Sequence, residues 1–481
     1  MRPTGFSQAV TPPCVLANAP LPWMAKIAII AMIIPASFSI GPLALSPSRL
    51  MFLVLVPFLT INLLRGKYGK VLPVDVLVFL NILWLTISIF VNNPAEAVQF
   101  TGSTAVVVLG GYLTARASIQ TAEHFASLCR FLGYVVLLSL PFALFEALTK
   151  QMIIMQLVDR LPGMNVFPRA THEQRIPGLY RAQFTFVHPI HYGFFCALVF
   201  AMVLSGLKGA ISSGERWILG GAAAFCSFLS LSSAAVLTIA VQFALILWAR
   251  ATVNVKNRWT ILITGLTVMY IILDIASNRP ALIAVISRLS FNQATVQIRQ
   301  RLFEFGTEQI GKTPWLGVGY NDWGLPPWMS GSIDNFWLLQ ALIYGMPALL
   351  ALAAAFIGGT FLVARRPLQP NSPMRDLRLG WVFMMVGMNL TLATVALFSV
   401  MYSMAFFIFA SGLWIIAQKQ IEPEENAPQE APAPTGTLYS RFAPKARGTG
   451  AKITPRDPAP TTPRPATRYA RVLNPTSRKQ G

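Results

Sequence analysis

Stretches of about twenty apolar residues, broken by short polar turns, recur along most of the chain. A helix rising 1.5 Å per residue needs about twenty residues to cross the hydrocarbon of a bilayer. Runs on this scale fall at 23–40, 49–64, 71–91, 97–115, 125–148, 183–206, 216–231, 233–249, 259–276, 335–363, 379–398 and 400–417. They predict an all-α, polytopic helical membrane protein with about 12 transmembrane helices. The runs are continuous rather than alternating at every second residue, which excludes a β-barrel. Only the cluster Ser230–Ser233 divides the pair over 216–249, and losing that division would invert everything downstream.

The short loops set an orientation. Starting with the N-terminus inside, the inward loops hold Arg65, Lys67 and Lys70; Arg116; Lys208 and Arg216; Arg250, Lys256 and Arg258; and Arg365, Arg366, Arg375 and Arg378. The short outward loops hold almost none, Arg49 being the exception. This is the positive-inside pattern, and it places both termini in the cytoplasm. Residues 1–22, with Arg2, Pro12, Pro13, Pro20 and Pro22, read as a cytoplasmic N-terminal segment before an uncleaved first span. Residues 418–481, rich in Pro, Ala, Thr and Arg, read as a disordered basic cytoplasmic tail suited to lying on anionic headgroups.

Composition agrees with this reading: 54% of residues are hydrophobic and 12% are charged. The net charge of +20 invites nucleic acid as a partner, but 11 of the 38 Lys and Arg lie in the tail and most others in short loops. That distribution belongs to membrane topology, so nucleic acid is excluded. Cys14, Cys129, Cys196 and Cys226 lack paired spacing, which argues against a disulfide framework and against a metal cage.

Two outward loops are long, 150–182 and 277–333, and each holds five basic residues. Long loops translocate regardless of charge, so the topology stands, but basic residues on the far face call for an anionic ligand. In the first loop, Arg175 and Arg181 stand just before the sixth span, with His188 and His191 where it begins. Arginine matches phosphate with paired donors. The alternatives are arginines snorkelling to headgroups, His188 capping a helix beside Pro189, and His191 packing.

The second loop carries Gln297–Gly306, an amphipathic helical pattern in which Arg301 could pair with Glu304 and Arg299 could be solvated. Gly317 and Gly319 suit a tight re-entry, and Trp315, Trp323 and Trp328 suit an interfacial belt or a sugar-stacking surface. Asp334 and Asn335 open the tenth span. A carboxylate there either caps the helix or faces a cavity as a base.

Taken together, Arg175–Gly193, Leu229–Ala234, Arg301–Gly306, Gly317–Tyr320 and Ser332–Gly345 resemble the O-antigen ligase and polysaccharide polymerase superfamily of bacterial inner-membrane proteins. Its exopolysaccharide-polymerase-like branch is the nearest, and the likeness covers most of 23–417 but not the tail. The resemblance implies a metal-independent, nucleotide-independent glycosyltransferase without a cofactor. Its donor would be an undecaprenyl-diphosphate-linked glycan, polymerised on the periplasmic side into exopolysaccharide or O-antigen, alongside other assembly and export proteins. It implies that loop arginines hold the diphosphate, which maps onto Arg175 or Arg181 and onto Arg301. With the residue reading, the candidates are Asp334, His188 and Arg301 for catalysis and Arg175, Arg181, Arg299, Asn335 and Trp323 for substrate. Ligases of the family place a histidine where this chain has Asp334, which counts against ligation to lipid A core, the first alternative. The second is a 12-span secondary transporter, which predicts charges at mid-membrane depth and two related halves.

Overall fold

The structure is a computed structural model that describes residues 19–40, 43–171, 173–276, 293–324, 326, 333–368 and 372–417. Arg279, Arg288, Trp328, Cys14, residues 1–18 of the N-terminal segment and the tail lie outside the described residues.

The chain folds as an all-α array with two very short hairpins, Phe38–Ile40 with Leu43–Leu45 and Gln174–Ile176 with Leu179–Tyr180. The helices are α1 Trp23–Ile33, α2 Pro47–Leu64, α3 Pro73–Asn92, α4 Ala97–Ser118, α5 Ala122–Thr149 and α6 Ile153–Asp159. Next come α7 Pro189–Ala201, extended by a π-turn to Gly206, then α8 Ser213–Leu229, α9 Ser233–Ala251 and α10 Arg258–Ala276. The last part holds α11 Gln293–Lys312, α12 Phe336–Tyr344, α13 Met346–Ala353, α14 Gly359–Arg365, α15 Pro373–Leu392, α16 Val400–Ala410 and α17 Trp414–Ala417.

Among the described residues, nine helices are long and apolar enough to cross a membrane. Four of the twelve predicted runs differ from expectation. Residues 23–40 give an 11-residue helix, because Ile34 is extended before Pro35, and a residue preceding proline resists the helical region. α8 has 17 residues. The run at 379–398 belongs to a helix starting earlier, at Pro373, whose ring presets a first turn that brings in Arg375, Asp376 and Arg378. The run at 335–363 is broken at Gly345. That glycine has φ +88°, and a Cβ on it would lie 1.9 Å from the Trp315 carbonyl oxygen.

Burial follows position in the array. The α7 span is 94% buried and packs on α8, α9 and α15, whereas the α10 span is 0% buried although apolar all round. A helix that is apolar on every side and uncovered by protein fits hydrocarbon rather than water. α16 packs along α4, where Gly111 lets the backbones touch: a Cβ there would lie 2.1 Å from the Ser403 carbonyl oxygen. Between α3 and α4, Asp75 accepts from Tyr112 Oη at 2.5 Å and from Arg116 Nε at 3.0 Å, all three fully buried. Arg116, read from sequence as a loop cation, is thus an interior partner of a carboxylate.

Candidate functional site

Loop 150–182 is held by a buried brace. Glu146 near the end of α5 accepts from Arg169 Nη1 at 3.1 Å and from the backbone N–H groups of Gln183 and Phe184 at 3.1 and 2.9 Å. Arg169 in turn donates to the carbonyls of Thr171, Lys150 and Arg181. With both side chains buried, the pair fixes the backbone at Arg181. Sequence reading missed this role for Glu146 and Arg169; the available signal was a lone carboxylate in an apolar helix.

The turn between α8 and α9 supplies the opposite wall. Its helix break is real: Leu231 takes φ +46°, and the Ser230–Ser232 segment leaves the helix. Three successive carbonyls there face the first loop. Leu229 accepts from the Ala182 N–H at 3.0 Å, Ser230 from Arg181 Nε at 3.2 Å, and Leu231 from an Arg175 Nη at 3.1 Å. Gly193 on α7 allows the approach, since a Cβ there would meet Ser230 Oγ at 2.1 Å. Glu173, which sequence reading did not single out, lies 3.3 Å from Arg175 and 3.9 Å from Arg181.

The second loop arrives on a helix face. In α11 the positions 299, 302, 306 and 310 follow helical spacing, and Leu302, Gly306 and Ile310 are buried. Arg299 shares this face and meets Asp334 at 3.1 Å. Arg301 lies about 200° round the helix and is exposed. Arg299 is thereby brought to the cluster from the packed face of this helix. Asn335, not Asp334, caps α12: its side chain accepts from the Leu338 N–H at 3.0 Å. Trp323 packs on Phe305 with ring centroids 5.6 Å apart, beside the small core of Ile310, Ile333 and Leu338.

The glycine segment of the second loop is clamped into the α12–α13 break. Val318 and Gly319 N–H groups reach the carbonyls of Leu342 and Ile343, and the Met346 N–H reaches Pro314. Ser88 and Asn92 on α3 both donate to the Leu316 carbonyl. Gly317 and Gly319 take φ +65° and +64°, the tight re-entry that the sequence anticipated.

Electrostatics tie the two loops together. Arg175, Glu173, Arg299 and Asp334 all lie close enough to act on the charge of Arg181, which burial lowers to a pKa of about 10 and which stays cationic at neutral pH. His188 caps α7, its Nδ1 accepting from the Ile190 N–H at 3.1 Å. Burial, then Arg181 and Arg175, push its pKa down to about 4. A neutral ring with Nδ1 accepting carries its proton on Nε2. His188 is thus a neutral ring at neutral pH whose Nε2–H can donate. His191 is packed, with Nε2 3.1 Å from the Ala396 carbonyl oxygen.

Among the described residues of this cluster, the guanidiniums of Arg175, Arg181 and Arg299 outnumber the carboxylates of Glu173 and Asp334. Two of their N–H groups, Arg181 Nη2 and Arg299 Nε, are buried without a hydrogen-bond partner. A buried donor left unsatisfied costs about 1–3 kcal/mol, more when charged, so an anion with several acceptor oxygens fits here. Among the described residues no three His, Cys, Asp or Glu side chains gather as metal ligands. No protein-family model matches this chain, and no curated protein matches it.

Proposed function

We propose that the chain is a bacterial inner-membrane glycosyltransferase that polymerises undecaprenyl-diphosphate-linked repeat units on the periplasmic side. In this reading about twelve membrane passages carry loops 150–182 and 277–333 to the outer face. The observation that carries it is the meeting of Arg175, Arg181 and Arg299 from two loops, with buried N–H groups still to be satisfied. Each arginine is fixed by a carbonyl or carboxylate, so the donors are in place before substrate arrives.

The reaction is attack by a sugar hydroxyl on the anomeric carbon of the lipid-linked glycan. The carbon–oxygen bond to the diphosphate breaks, and the lipid diphosphate leaves with the electron pair. Charge grows on the phosphate oxygens, where preorganised guanidiniums stabilise it. His188 donates from Nε2 toward the same developing charge, and Asp334 orients the attacking hydroxyl and takes up its proton as the new bond forms. Ligation to lipid A core or another acceptor would use the same donor site.

The test is to isolate lipid-linked intermediates from a deletion strain. Accumulated single repeat units support polymerisation, and long unattached chains support ligation instead. An unchanged intermediate pool would sink both and favour the transporter.

A further inference from the structure

A second basic constellation lies at the other end of the helices. α7 leaves the arginine cluster at His188 and finishes beside Ser205 and Lys208, while α9 starts at the cluster's turn and finishes at Ala249 and Arg250. There a cavity of about 450 Å³ is lined by Lys208, Arg250, Arg258 and Arg375 with the single carboxylate Asp376. A neighbouring cavity of about 520 Å³ shares Arg258 and Arg375 and adds Arg378 and Trp259.

Part of this charge serves the fold: Arg258 donates to the Ala249 carbonyl at 2.8 Å and closes the α9–α10 turn. Arg378 likewise donates to the Arg366 carbonyl, and the remaining lining cations still outnumber Asp376. Arg216, only 8% exposed, has Nε and Nη1 without hydrogen-bond partners, and its charge is felt together with those of Arg250 and Asp376. Like charges drawn round one cavity repel unless an anion joins them.

We propose that this cavity binds a phosphate group, supplied by the headgroup of an anionic phospholipid or by free phosphate. The walls favour the lipid source. The cavity opens among α9, α10 and α15, and the uncovered apolar α10 with Trp259 at its start offers a surface for acyl chains at headgroup depth.

The test uses the full chain in phosphatidylcholine nanodiscs with increasing phosphatidylglycerol, reading bound lipid by native mass spectrometry. A second arm titrates inorganic phosphate against the melting temperature of detergent-solubilised protein. Arg250→Gln/Arg375→Gln spares the turn-closing Arg258 and should weaken phosphatidylglycerol about tenfold or more, with an unchanged melt in phosphatidylcholine. Lys208→Gln, at an exposed position, is the second variant should the double variant fail to fold. Charge-dependent saturation by lipid alone assigns the lipid source, and the same saturation by phosphate assigns the soluble one. Equal binding by wild type and variants, or no saturation with either probe, overturns the site.

Discussion

At the scale of single residues the arginines are not interchangeable with other cations. Arg181 donates from Nε to the Ser230 carbonyl while another nitrogen has no partner, an arrangement only a forked donor can satisfy. Arg181→Lys should therefore lower polymer formation on the order of 10²-fold while keeping the charge, measured with purified lipid-linked substrate. Arg299→Lys should impair the same assay more than Arg301→Lys, because Arg299 meets Asp334 at 3.1 Å from the packed face of α11 whereas Arg301 is exposed; the reverse ranking would remove Arg299 from the site. For His188 the sign is set by a folded pKa of about 4 against an ordinary 6.5. The folded chain prefers the neutral ring, so this contribution to stability is complete above the unfolded value and is lost as pH falls from 6.5 towards 4. The melting temperature of wild type should fall across that window more than that of His188→Gln. The activity profile should lack an acid limb near 6.5.

Individual elements explain what the sequence could and could not foretell. Apolar runs located most of the helices, and Ser230–Ser233 marked a genuine break, because length and hydropathy are local properties. The choice between Arg299 and Arg301 was hidden, since it depends on the rotation of α11 against α12, fixed by Gly306 and Leu338. Offset by one residue, the cap fell to Asn335 and left Asp334 for Arg299. The Glu146–Arg169 brace joins residues 23 apart and has no spacing signature. Removing one partner strands a buried charge, so Glu146→Gln should destabilise by about 3–5 kcal/mol, read as a lowered denaturation midpoint in detergent. Gly345→Ala should lose about 1–3 kcal/mol from its left-handed backbone, and more from the clash with Trp315, in the same measurement.

For the whole molecule, the decisive matter is which ends of the helices face which side. Cysteines placed at exposed Arg160 and Glu308, in a background freed of native cysteines, should react with an impermeant maleimide added outside the inner membrane. Cysteines at exposed Lys67 and Lys256 should react only after permeabilisation. Labelling of Arg160 and Glu308 from opposite sides would separate the two loops and end the proposed chemistry. The α8–α9 turn grips its guanidiniums with main-chain oxygens at 230 and 231. Any set of side chains able to keep that bend would keep the grip. The anchorage is a property of chain path rather than residue identity, so drift at these positions could erase the local spelling while leaving the two fastenings intact.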